Sequence, residues 1–228
     1  MFYESNLMRS LLHAVVLAIS LTIALQAHAQ SFAFGGSSGT AAMTLYFSDG
    51  TSELVTAADQ GWWSPTAYNF EGNPNIITGH YYDILWNDFF IFNLTKHAAD
   101  VEAATLDIDT WSVSGAPMVS LWDVSTPLAA LENLNAPPSA AIYADLGSGT
   151  RYGDEYRVTK SHTDIEIPLN DAGIAAIRQA AGNPFAIGGS ANTPIPEPSA
   201  VWLLGAALAG LGALRYRGRQ TAKRSALS

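Results

Sequence analysis

The sequence predicts an all-β domain, an antiparallel β-sandwich of jelly-roll type with one short helix, because three features of its middle portion agree. Apolar residues alternate with polar ones in many short runs; Gly, Asn and Pro separate those runs; and a single stretch keeps convincing helical spacing. A parallel α/β fold would need a helix between most strands. The chain has no cysteine, so disulfides and thiolate metal sites are excluded and stability must come from packing.

In order, Gln30 to Ala42 is rich in Gly and Ser, with Phe32 and Phe34 available for a first strand. Met43, Leu45 and Phe47 alternate, Ser48-Asp49-Gly50-Thr51 makes a turn, and Glu53 to Thr56 returns as the second arm of a hairpin. Gly61-Trp62-Trp63-Ser64-Pro65 and Asn69 to Asn75 read as irregular aromatic loop. In Asp88 to Leu94, Phe90, Phe92 and Leu94 point to one side and Phe89 and Ile91 to the other, the mark of a central strand covered on both faces. Ala104, Leu106 and Ile108 alternate with polar residues, and Trp111 and Val113 follow with opposite parity, which predicts a bulge near Asp109. Pro117 to Asp123 is a strand and Leu128 to Leu134 a helical turn. Tyr156 and Val158 mark one further strand, and Ile165 to Leu169 another. Asn170 or Asp171 caps the helix Asp171 to Ala181, Gly182-Asn183-Pro184 stops it, and Phe185 to Gly189 is the last strand.

The two ends carry a different pattern. A polar start with Arg9, the apolar run Leu11 to Leu25 and the small residues Ala27 and Ala29 read as a secretory signal peptide over residues 1–29, cut after Ala29. The domain then spans 30–190 and a linker 191–195. Next come Pro196, Glu197 and Pro198, an uncharged membrane helix over 199–214, and the basic residues Arg215, Arg217 and Arg219 within 196–219. A basic cytoplasmic tail, 220–228, closes the chain. The apolar run is short for a bilayer span of ~20 residues, and the proline triplet suits cleavage or recognition rather than a helix interior. Triplet, short apolar helix and arginine cluster together resemble the PEP-CTERM sorting signal of exopolysaccharide-producing Gram-negative bacteria. The resemblance implies export by a Sec-type signal and signal peptidase, passage through the inner membrane, and recognition by an exosortase. Delivery to the cell surface or extracellular matrix would follow. Segments such as Leu121-Trp122-Asp123-Val124-Ser125-Thr126-Pro127 and Ala144 to Thr150 resemble a group of uncharacterised exported proteins with the same C-terminal signal, a resemblance that implies no catalytic residues.

From Gln30 to Pro196 the chain has 18 acidic and 5 basic residues, a net charge of −13 against −9 for the whole sequence. Such a field repels nucleic acid, and no nucleic-acid partner is expected. His80, His97 and His162 are too far apart in sequence for a local metal motif, and Asp107 and Asp109 read as a solvated pair on a wet strand face. No Gly-x-Ser-x-Gly elbow occurs; Gly147-Ser148-Gly149 reads as a turn. No cofactor is expected, although Asp49, Glu71, Asn73 and Asn75 lie in turns and offer the oxygen ligands of a structural calcium ion.

Two readings of the aromatic residues stay open. Trp62, Trp63, Tyr68 and Trp86, with Tyr81 and Tyr82, either form a platform on which sugar rings stack or plug one end of the sandwich. The resulting expectation is a non-enzymatic, exported cell-surface or exopolysaccharide-matrix protein. A carbohydrate-binding module that contacts extracellular polysaccharide is the alternative, and a polysaccharide-acting enzyme is the third.

Overall fold

The computed structural model of the protein describes residues 31–36, 40–68, 75–133 and 135–192. The expected signal peptide with Ala27 and Ala29, the calcium candidates Glu71 and Asn73, and the sorting segment with the membrane helix expected over 199–214 lie outside the described residues. Among the described residues, no helix is long and apolar enough to cross a membrane.

Ten antiparallel strands make the domain, as the alternating runs predict. They are β1 (Ser31–Gly35), β2 (Ala42–Phe47), β3 (Ser52–Trp63), β4 (Ile76–Tyr81) and β5 (Ile84–Asn93), then β6 (Val101–Ser114), β7 (Met118–Trp122), β8 (Tyr156–Arg157), β9 (Thr163–Pro168) and β10 (Pro184–Asn192). A 3-10 turn, Lys96–Asp100, joins β5 to β6; the helices are α1 (Leu128–Leu131), α2 (Ala140–Asp145) and α3 (Asp171–Ala180).

In one layer β6 pairs with β9 along one edge and with β2 and β1 along the other, and β1 continues to β4. The second layer runs β3-β5-β10-β7-β8. β3 belongs to both. Residues Ser52 to Thr56 pair with β2, and Ala57 to Trp63 pair with β5 after a register shift between Ala57 and Asp59. A bulge bends and twists its strand, and here the bend lets one strand cross from layer to layer. With β4 also paired to β5, the ladder closes on itself.

Between the layers Met43, Leu45, Leu106, Ile108 and Ile167 form one apolar cluster with Phe90, Phe92, Leu121, Phe185 and Ile187. On the far side of the second layer, Trp63, Phe89 and Ile91 pack with Leu131 and Leu146 under α1 and α2. β5 is therefore covered on both faces, as its unbroken apolar run requires. In α3 the Asn170 side chain accepts hydrogen bonds from the Ala172 and Gly173 amides, both at 3.1 Å, while Ile174 and Ile177 enter the main core.

Three details differ from the sequence reading. Gly61-Trp62-Trp63 is strand, because residues 87–89 of β5 supply a ladder that local composition cannot announce. The helix Ala140–Asp145 is additional to the single convincing helix the sequence predicts; Ser139 caps it by accepting from the Ile142 amide at 3.2 Å, and its Ile142 packs on the outer cluster. The bulge expected near Asp109 is present, at Trp111: Phe34 pairs with Ser112 and Gly35 with Thr110, so Trp111 has no partner across the ladder. β10 runs to Asn192, two residues into the expected linker.

Candidate functional site: an aromatic groove

Where β1 leaves β6, the described surface opens into a groove of about 390 Å³ lined by Phe32, Phe34, Tyr81, Trp111, Ser112, Ser161 and His162. Each ring is there for a local reason. Phe32 and Phe34 are two apart on β1, so they share a face. Trp111, the extra residue of the bulge, is turned outward and is 48% exposed, with its ring centroid 5.7 Å from that of Phe34 at 58°. Gly35 permits this close crossing, since a Cβ there would meet the Asp109 carbonyl oxygen at 2.3 Å.

The opposite wall is Tyr81, the last residue of β4, which a two-residue turn joins to β5. Tyr82 and Asp83 have φ values of +48° and +59°, the left-handed turn geometry that hairpins usually assign to Asn or Gly. An aromatic residue in that conformation is strained, and strain of this kind gathers at functional sites. Tyr82 is 68% exposed; its ring lies 4.2 Å from that of Tyr81, which in turn lies 4.4 Å from Phe32. A hydrogen bond with Tyr82, and then burial, hold the Tyr81 phenol above its ordinary pKa. The rim is fixed by β6: the Val113 amide donates to Ser161 Oγ at 2.9 Å, and Thr110 Oγ1 donates toward the carbonyls of Lys160 and Thr163, at 2.9 and 2.7 Å. His162, on the same rim, has φ +54°.

The residues nominated from sequence are distributed differently. Trp62 and Trp63 are buried: the Trp62 indole donates to Asn75 Oδ1 at 3.0 Å, and that of Trp63 to the Leu131 carbonyl at 3.2 Å. Neither lines an exposed platform: Trp63 packs on the outer side of the second layer with Leu131 and Leu146, and Trp62 is held by Asn75 and Trp86. Trp86 is half-buried, meets Trp62 edge-on at 4.4 Å and 87°, and donates to the Tyr81 carbonyl at 3.3 Å, so it braces the turn that carries Tyr82. Tyr68 is exposed, and its hydroxyl donates to the Asn135 carbonyl. Trp111 reads in the sequence as one more residue of a strand; the parity change beside it is the local signal of its outward position.

Of the calcium candidates, Asp49 and Asn75 do not meet. Asp49 closes the β2–β3 turn by accepting from the Thr51 amide and hydroxyl at 2.9 and 2.6 Å, bonds that hold its pKa below the usual value. Asn75 is tied to Trp62 at the other end of β3, a strand whose 12 residues extend over roughly 35–40 Å. Asp49 instead borders an open, polar depression with Asp100, Glu102 and Arg178, next to the stacked Phe47 and His97 rings. Among the described residues no group of three or more His, Asp or Glu is arranged to hold a metal ion.

No curated protein and no solved structure matches the chain. What does match is its C-terminal segment: residues 194–218 carry the PEP-CTERM protein-sorting motif, which implies an exosortase as processing partner and a membrane-transiting route to the cell surface.

Proposed function

We propose that this chain is an exported, non-enzymatic surface or matrix protein whose β domain holds an uncharged polysaccharide in the groove between Trp111 and Tyr81. The observation that carries this reading is a groove lined by aromatic rings, with Trp111 exposed at the β6 bulge on one side and the half-buried Tyr81 at the end of β4 on the other. Apolar sugar faces lie well against such rings, while Ser112, Ser161 and His162 offer hydrogen-bonding groups at the rim. A net charge of −13 over the mature segment, from 18 acidic and 5 basic residues, favours an uncharged chain over an acidic one. Among the described residues no carboxylate lines the groove, so the pair that glycoside hydrolysis needs is not offered by them there.

The test is retention of the full-length protein on an insoluble neutral glucan and on the producer's own extracellular polysaccharide. Trp111→Ala and Tyr81→Ala are each expected to weaken retention about tenfold, the effect of losing one stacking contact of about 1.4 kcal/mol. Retention unchanged in both variants would overturn the reading.

A further inference from the structure

Asp88 is a carboxylate inside the sandwich. It follows the inward phase of Phe90 and Phe92 on β5, is 4% exposed, and its Oδ1 has no hydrogen-bond partner. It borders an internal cavity of about 20 Å³ whose other walls are apolar side chains such as Ile76, Ile108, Val119 and Ile165, together with the hydroxyl residues Thr78 and Thr110. No ionisable side chain of β1, β4, β6, β7 or β9 lines that cavity. His80 lies two residues beyond Thr78 on β4 and contacts Asp83 at 4.0 Å; Asp107 and Asp109 on β6 and Asp164 and Glu166 on β9 alternate with the inward residues; Asp59 on β3 is half-buried. On β10 the residue paired with Asp88 is Gly189, where a Cβ would meet Asp88 Oδ1 at 1.9 Å.

Gly189 is also where β10 loses one of its two neighbours. Up to Gly189 it pairs with β5 on one side; from Ser190 to Asn192 only β7 remains. Thr78 Oγ1 donates to the Gly189 carbonyl at 3.4 Å, and the Trp122 indole donates to Ser190 Oγ at 2.8 Å. Two residues past the strand end, the sorting motif begins at residue 194.

We propose that Asp88 is a protonation latch on the end of β10: neutral, it lets Gly189 lie against it in the dry core; ionised, it draws water to that point and frees Gly189–Asn192, lengthening the tether before the sorting motif. Burial, only partly offset by a hydrogen bond from its own backbone amide, pushes the Asp88 pKa up to about 7 from 3.8. The folded state therefore binds the proton more tightly than the unfolded one. The stability this gives is complete below the unfolded value and is lost as pH rises through the folded one.

Amide hydrogen exchange on the full-length chain in detergent tests the latch. Between about pH 5.5 and 8.5, protection of residues 189–192, corrected for the intrinsic rate, is expected to fall about tenfold while β2 stays within about twofold. Asp88→Asn should hold that protection flat. A flat profile in the wild type, or an equal fall in Asp88→Asn, overturns the proposal. Should Asp88→Asn fail to fold, the infrared band of a buried protonated carboxyl decides in the wild type. Its loss near neutral pH in step with exchange supports the latch, and its absence at about pH 5.5 overturns it.

Discussion

Trp63 and Trp111 both sit near the end of a long strand, yet one is 4% and the other 48% exposed. Trp63 pairs in register with β5 and turns toward α1 and α2, where its indole finds the Leu131 carbonyl. Trp111 occupies the unpaired position of a bulge and, among the described residues, packs against the ring of Phe34 at the edge of the groove. Their chemistry is the same. What separates them is whether the layer outside the sheet is occupied: the segment 127–146 supplies two short helices over β5, while the groove side of β1 and β6 has only the tied rim around Ser161. An aromatic cluster in a β protein is thus core or binding surface according to its cover, and its sequence density does not distinguish the two.

The largest expected effect comes from breaking the covered side. Trp63→Ala should cost about 3–5 kcal/mol through the cavity left under α1, seen as a fall in thermal midpoint of about 10 °C, with retention on glucan per folded molecule unchanged. Loss of retention in the protein that remains folded would mean the two aromatic regions are not independent.

Next is the crossing that creates the exposed side. Gly35→Ala should cost about 1–3 kcal/mol, because its Cβ must push β1 away from the Asp109 carbonyl. The same displacement moves Phe34 relative to Trp111, so denaturant unfolding and glucan retention should both suffer. A variant with native retention would show that the groove does not depend on this register.

The smallest effect on stability belongs to Trp111→Ala, within about 1 kcal/mol in denaturant unfolding, since little buried area is lost at a half-exposed ring. That small change, set beside the tenfold loss of retention expected of the same variant, is what distinguishes a binding residue from a core residue. A stability loss as large as that of Trp63→Ala would place Trp111 in the core instead.

Much of the fold was legible because strand alternation is local. The β2–β3 hairpin, the two-sided run of β5, the alternation in β9 and the Asn170 cap of α3 each follow from neighbouring residues and appear where those residues predict them. The sorting motif was legible for the same reason, being a contiguous pattern of triplet, apolar run and basic cluster. The extension of β3 through Trp63 was not, since Gly61 and Pro65 signal a turn and only β5, more than twenty residues later, overrules them. The groove was illegible in the same way: Phe34, Tyr81 and Trp111 come from three separated strands.

The sequence by itself thus determined an antiparallel β domain and a C-terminal sorting segment, because periodicity, turn chemistry and contiguous motifs need no distant partner. Only the tertiary structure decided which tryptophans are covered, that Asp88 faces the dry core beside Gly189, and that Asp49 and Asn75 stand at opposite ends of β3. Burial and convergence are properties of pairs of segments brought together by long-range strand pairing, and no local window contains both members of such a pair.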